Sequence, residues 1–519
     1  MQQLFSCFLI SIVTAFMAAH AHDNTCNVRT YGATACGRLY DTEAVQAAID
    51  SAHSQGGGTV FFPAGKYLLK TIILKTNVGL DLDHGAEILG STELNRYDPA
   101  LGSFADSSGR LFAPSLIHAY GATNISISGH GRIDGQGFPE HYPIQEGLAR
   151  PSIIRFIRCA NVKIEDITLV NAAAWVQHYV ECDDLTITGI TVHSYANKNN
   201  DGLDIESCHR VIVSRCNISS EDDSIVLKAM SRRPCRDVVI SDCMVSGLKS
   251  AIKTGTESAG SFENITISNC VFYGTRGISL LSVDGGDLNN ITISNISMRD
   301  SYAVLVMRLG ARMRPYKLAE EERPQKPGVF RNILVDNIQA VGVTESNDFI
   351  CGIPDANIEH VTLSNFRICY KGGGQKEDAE RHIPELADEY PKAKMFGVLP
   401  SYGFFIRHAK NIKIKDISLS VDEVDLRPAI MAEDVSDLEL TGIRACTGEQ
   451  SAPMFWLKQC QSVRIRDSRP MGMAGAFLRV EGSRSDNMVI QDYPRGQLKG
   501  DSIIAEDVPE NTVRIRNDD

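Results

Sequence analysis

Three aspartates carry the spacing that could do chemistry. Asp201 closes the run 199–202 (NNDG), and Asp222 and Asp223 follow Glu221 at the start of the next equivalent segment. The 21 residues between Asp201 and Asp222 are close to one turn of the repeat described below, which would set Asp201 beneath the pair on one sheet. Like charges at short range repel and raise one another's pKa, so such a cluster is costly unless it works. The chemistry that fits is acid–base hydrolysis. One protonated carboxyl serves the leaving oxygen while carboxylates opposite hold a water, as in inverting glycoside hydrolysis, where carboxyls stand ~6.5–9.5 Å apart. The competing reading is that Asp simply favours turns. Asp166 and the Asp183-Asp184 pair show this chain using Asp that way, and spacing alone leaves both readings open.

What must position these carboxylates is a repeat. Short β-prone segments recur at 161–169 (NVKIEDITL), 184–192 (DLTITGITV), 210–218 (RVIVSRCNI), 237–243 (DVVISDC), 263–270 (ENITISNC) and 290–296 (NITISNI), with further copies to residue 466. Their first apolar residues, Val162, Leu185, Val211, Val238, Ile265 and Ile291, are 23, 26, 27, 27 and 26 residues apart. Each unit has strand alternation, β-branched residues and a polar Asn or Asp turn, with no helical pattern between units. A unit this short cannot bury its own apolar face, but stacked coils can. The spacing predicts an all-β right-handed parallel β-helix. Leucine-rich repeats are excluded because regular Leu-x-x-Leu-x-Leu spacing is absent.

Cys216, Cys243 and Cys270 fall 27 residues apart, as do Cys208 and Cys235, the pattern of an internal column of small buried side chains. Two steps are too long. Surplus residues around 308–327 and 372–400 read as walls of a groove, with surface disorder the alternative for 372–392. Before the repeats, 41–50 (DTEAVQAAID) reads as a helix with Asp41 or Thr42 at its N-cap, part of an end cap that covers apolar core.

The chain of 519 residues opens on an uncharged apolar run, 4–13 (LFSCFLISIV), followed by Ala19-His20-Ala21, which reads as an export leader over residues 1–21. The expected division is that leader, a cap with the first coils over 22–120, and a catalytic β-helix body over 121–519. An exported protein, periplasmic or secreted, is expected. No later stretch reaches the ~18–20 apolar residues of a membrane helix. The net charge of −12 argues against nucleic acid as a partner. Fourteen cysteines, Cys7 of the leader among them, are modest for this length and make no disulfide scaffold or zinc pattern. A monomer without metal or cofactor is expected.

The chain resembles the polygalacturonase-type glycoside hydrolases, glycoside hydrolase family 28, over nearly all of its length after the leader. The matching residues are Tyr31-Gly32-Ala33, Asp41-Thr42, the 46–49 helix, 56–59 (GGGT), Pro63-Ala64-Gly65, Gly85-Ala86, 131–137 (GRIDGQG), Trp175 with His178, Asn199 with Asp201-Gly202, and Asp222-Asp223. Their order and spacing together are specific. The resemblance implies that Asp222 is the general acid and that Asp201 and Asp223 position and activate water, on a pectic polysaccharide and without a metal. It also makes His178 and Asn199 candidate substrate contacts. Three departures stand out. The family's G-H-G falls on Lys249-Ser250-Ala251, which puts Ser250 at its histidine. Its R-I-K falls on the 277–281 strand, with Ser279 and Leu281 at the basic positions. Lys228, Lys253 and Arg276 are the cations left to bind a substrate carboxylate; the alternative is a neutral sugar such as rhamnose at the cleaved bond. Two other classes stay open: a lyase or epimerase on the same fold, and a non-catalytic carbohydrate-binding protein.

Overall fold

The computed structural model describes residues 24–98, 114–145, 150–316, 318–345, 347–499 and 503–516. The leader read over residues 1–21 lies outside them. All named strand pairings are parallel, each strand hydrogen-bonding its counterpart in the coil before and the coil after. The chain is a parallel β-helix, as its repeat predicts.

The register follows the apolar residues one by one. Val162 pairs with Leu185, Leu185 with Val211, Val211 with Val238, Val238 with Ile265 and Ile265 with Ile291. It continues through both long steps, Ile291 to Ile333 and Val361 to Ile412, so the surplus residues leave the coil without shifting it. A one-residue slip would turn every one of these side chains to solvent, which is what fixes the pairing.

The polar residue before each of these positions has a backbone reason. Asn161, Asp184, Asp237, Asn264, Asn290 and Asn332 all have φ between 52° and 59°. Asn and Asp are the non-glycine residues that tolerate this left-handed conformation best. Their side chains form ladders between coils, as in Asn161 Nδ2 to Asn124 Oδ1 and Asn290 Nδ2 to Asn264 Oδ1, both 2.8 Å. Asp166 and Asp184 belong to this class (φ 59° and 54°), whereas Asp201, Asp222 and Asp223 do not.

Helix α1 (Thr42–Ser54) buries Val45, Ala48, Ile49 and Ala52 and covers the first coils. Asp41 is its N-cap but makes no side-chain cap bond; its carboxylate instead accepts from the Thr34 and Ala35 amides at 2.6 and 3.0 Å. Cys216, Cys243 and Cys270 are buried between coils, and every described cysteine is a free thiol. The Cys243 thiol donates to the Ser241 carbonyl at 3.2 Å, an acceptor that a serine hydroxyl could also use. Cys243→Ser is therefore expected to lower stability by only ~1 kcal/mol, near the low end for a buried polar substitution, with turnover of the folded protein unchanged. Thermal melts beside steady-state assays check this; loss of turnover without loss of stability would give the column a chemical role.

Candidate active site

Four consecutive strands of one face, Leu203–Glu206, Ile225–Ala229, Ile252–Ser258 and Ile278–Ser282, build the site. Leu203 pairs with Ile225 and Ile225 with Ile252, so the turns before these strands stack. The Gly202 amide donates to the Asp223 carbonyl at 3.0 Å, which places Asp201 directly under the Asp222–Asp223 turn. A Cβ on Gly202 would sit 2.6 Å from the Ser224 carbonyl oxygen, so only glycine allows the two turns to close this tightly.

The three carboxylates converge. One oxygen from each of Asp201, Asp222 and Asp223 lies within 4.8 Å of the others. That is tighter than the carboxyl separation expected from the sequence, but two hydrogen bonds of ~2.8 Å meeting at a water span about this distance. Asp201 and Asp223 are buried, and Asp222 is the more open of the three. Lys253 Nζ lies 2.7 Å from Asp223 Oδ2, and the Ser250 amide donates to Asp223 Oδ1 at 2.8 Å. Burial would raise the Asp223 carboxyl, but Lys253 and Ser250 outweigh it and hold it below the usual carboxylate range. Asp201 goes the other way: burial, then Asp204 and Asp222, push it well above that range. The two buried carboxyls are thus pushed in opposite directions, Asp201 toward its protonated form and Asp223 toward its charged one, the division that acid–base hydrolysis needs. These carboxylates are also the one group among the described residues spaced to hold a cation; Lys253 already supplies positive charge there.

Beneath them lies a layer of buried charge. Lys228 Nζ reaches Glu257 at 3.0 Å and Asp204 at 3.4 Å. Burial opposes its charge, but Glu257, Asp204 and Asp201 raise its pKa well above normal and keep it cationic. His178 Nε2 contacts Glu206 at 2.9 Å, its Nδ1 faces Arg155 at 3.3 Å, and its ring packs edge-on to Trp175. Burial, with Arg155 and Lys228, lowers the His178 pKa far enough to keep the ring neutral.

The structure places the other candidate residues around this cluster. His178 is fully buried in the floor beneath the carboxylates. Lys228 and Lys253 are committed to protein carboxylates. Asn199 is exposed, but its Oδ1 accepts from Arg150 at 2.8 Å and its φ of 58° makes it a turn residue. Ser250 and Ser279 hydrogen-bond each other at 3.1 Å, and Leu281 is buried in an apolar cluster. Arg276 lies outside the carboxylate group, 5.8 Å from the Tyr302 ring. Arg150, Asp204, Glu206 and Glu257 were not singled out from sequence. The alternating charges of 203–206 (LDIE) on a buried strand were the available signal for two of them.

The two long loops are ordered and stand together. Ala379, Ile383, Ala393, Phe396 and Leu399 pack on the outer sheet face against Leu281, Val306, Phe349, Phe405, Met431 and Trp456. Buried Arg308 donates to the Glu385 and Leu386 carbonyls, and buried Arg407 to those of Ile383 and Pro384. The Ala311 amide joins the loops by donating to the Ala387 carbonyl at 2.6 Å. The disordered alternative for 372–392 falls, because these contacts fix the segment beside the carboxylates.

A family model described as glycosyl hydrolases family 28 matches residues 59–343, and one described as rhamnogalacturonase A/epimerase, pectate lyase-like, matches residues 25–90. A probable polygalacturonase of Vitis vinifera is 27% identical over 227 residues, 41% of this chain and 46% of that protein. The chain thus spans less than half the length of that curated relative. Among solved structures, the family 28 exopolygalacturonase of Yersinia enterocolitica superposes with a TM-score of 0.63 at 22% identity, covering 81% of this chain and 78% of the other. The hyperthermoactive exopolygalacturonase of Thermotoga maritima gives 0.62 at 22% identity, covering 76% and 91%. These likenesses show the fold, a right-handed parallel β-helix.

Proposed function

Because the chain belongs to glycosyl hydrolases family 28, we propose that it is an inverting glycoside hydrolase acting on a pectic polysaccharide or oligosaccharide. The observation that carries this is the convergence of Asp201, Asp222 and Asp223 within 4.8 Å, with Asp223 held ionised by Lys253. Asp222, the most open of the three, donates the proton to the leaving oxygen. Asp223 takes a proton from the water as it attacks, and Asp201 completes the water's hydrogen bonds. The C–O bond of the leaving sugar breaks as the water oxygen bonds the anomeric carbon, so the product emerges with inverted configuration. Burial favours the protonated form of Asp201, and a proton passed from it to Asp222 through one bridging water supplies the acid. A matching curated relative named a probable polygalacturonase supports a pectic substrate.

The two positions at which the resemblance expects basic residues, Ser279 and Leu281, carry no charge, and Lys249 Nζ, 3.6 Å from Asp222 Oδ2, faces that carboxyl. Ser279 is tied to Ser250, Leu281 is buried, and Lys228 and Lys253 serve protein carboxylates. Unbranched polygalacturonate is therefore expected to be a poor substrate, by ~10²-fold or more in kcat/KM, relative to a pectic backbone with a neutral sugar at that position. Product analysis on a panel of pectic oligosaccharides tests the reading. A new reducing end of inverted anomeric form, with no ultraviolet-absorbing double bond and no loss on chelation, is expected. An unsaturated product would make the protein a lyase, and efficient cleavage of plain polygalacturonate would overturn the neutral-sugar assignment.

A further inference from the structure

The strand Ile252–Ser258 departs from the regular register next to the carboxylates. Leu227 pairs with Thr254, but Ala229 pairs with Ser258, so three residues, 255–257, stand opposite Lys228 alone. An unbroken ladder would set Gly255 against Lys228 and offer the ammonium no side chain. The bulge instead turns Glu257 onto Lys228 Nζ at 3.0 Å, and Arg312 fixes it by donating to the Thr256 carbonyl at 2.9 Å. Both side chains of this pair are 5% exposed, which closes them to a sugar. Lys228 Nζ also meets Asp204 at 3.4 Å, acts on Asp201 and lies 4.3 Å from the Trp175 ring. Three carboxyls thus share one ammonium, and ionising all of them would leave two buried charges uncompensated, which burial opposes. Neither Asp204 oxygen accepts a hydrogen bond among the described residues, and burial pushes this carboxyl up to about 7. Of the surrounding groups, Glu206 acts on both Lys228 and Glu257, His178 and Lys253 face Lys228, and Arg312 and Tyr316 face Glu257. Asp222 and Asp223 face Asp201 from the turn above.

We propose that Glu257 and Lys228 are positioning residues for Asp201: the bulge commits the Lys228 ammonium to Glu257, so Asp201 lacks a full counter-ion and keeps the proton on which the acid step draws. The inference rests on the hydrolase reading and gives that site its charge balance. A buried ion pair adds little stability over apolar packing, so a pair assembled by a dedicated bulge acts through its field on the carboxyls above it. The signs follow from the geometry. Neutralising Glu257 releases the ammonium toward Asp201 and favours the ionised carboxyl, whereas removing the ammonium favours the protonated one. Two substitutions within one ion pair therefore act on Asp201 in opposite directions, which a purely structural pair would not do.

The test compares the full protein with Glu257→Gln, which keeps the size and an acceptor for Lys228, and with Lys228→Met, which keeps the length without the charge. The pH dependence of kcat/KM on rhamnogalacturonan oligosaccharides reads the basic limb, where Asp201 and Asp222 lose the proton they share. That limb should move down by ~1 pH unit in Glu257→Gln and up by ~1 unit in Lys228→Met. KM at the optimum should change by less than ~3-fold, since neither residue touches substrate. The protonated-carboxyl infrared band that Asp201→Asn removes follows the same proton without substrate and should titrate with the same two shifts. A limb and band that stay in place, or move the same way in both variants, overturn the inference and leave the hydrolase reading standing. A KM raised by ~10-fold or more in either variant makes the pair a substrate contact and overturns it too. If the wild type cleaves no pectic oligosaccharide, the hydrolase reading falls and the infrared band alone decides the charge balance at Asp201. Melting temperatures confirm folding; should Lys228→Met not fold, a limb and band that fail to move down in Glu257→Gln overturn the inference.

Discussion

Asp222→Asn should lower kcat by ~10²-fold or more on the protein's own substrate while KM shifts only a few-fold. Asparagine keeps the size and the hydrogen-bonding reach of Asp222, whose Oδ1 accepts from the Asp223 amide at 2.9 Å, so the turn should persist. What is lost is the ability to release a proton to the leaving oxygen. Lys249 Nζ, 3.6 Å from Asp222 Oδ2, does not substitute, because a lysine ammonium is a far weaker acid than a carboxyl. Reducing-end release under saturating substrate is the measurement. Near-full turnover in Asp222→Asn would move the acid to Asp201, the carboxyl that burial already favours in its protonated form.

Lys253→Met should be the second large effect, and it separates base from acid. Lys253 is the main force against burial at Asp223, so removing it lets burial raise that carboxyl. The base is then protonated over part of the working range. kcat should fall by ~10²-fold, and the acid limb of the pH–rate profile should move to higher pH. Stability should drop by ~3–5 kcal/mol at neutral pH, as when one partner of a buried pair is removed. The sign of the pH dependence reverses as well. In the wild type, Asp223 has a depressed folded pKa, so its contribution is present above the unfolded value of ~3.9 and is lost as pH falls through the folded value. Lys253 has a raised pKa, because Asp223 outweighs the burial that opposes its charge. Its contribution is present below the unfolded value of ~10.4 and is lost only as pH rises through the folded one. In the variant, Asp223 has a raised folded pKa, so its destabilisation is full above that value, shrinks as pH falls through it and is gone near the unfolded value of ~3.9. Denaturant melts across pH check this; a pH-independent difference would mean that Lys253 acts by packing alone.

The sequence by itself determined the repeat and its register, because both are written in a period. Val162, Leu185, Val211, Val238, Ile265 and Ile291 must all face one core, and a strand's two-residue alternation leaves a single pairing that puts them there. The Asn and Asp residues before them are legible for a local reason, the left-handed turn they occupy. The same arithmetic set Asp201 under Asp222 and Asp223, since one coil of spacing is enough to stack two turns. Only the tertiary structure decided what each charge does. Whether Lys228 and Lys253 face a ligand or a protein carboxylate depends on Glu257, Asp204 and Asp223, which reach them from neighbouring coils, and on burial that has no period. Backbone φ separated the turn aspartates Asp166 and Asp184 from the clustered ones, which spacing alone could not do. The loops 308–327 and 372–400 have no repeat to read. Arg308 and Arg407 pin one of them through backbone carbonyls, and the meeting of Arg312 and Tyr390 beside Lys253 joins residues 78 apart in the chain, a contact that exists only once both loops have packed.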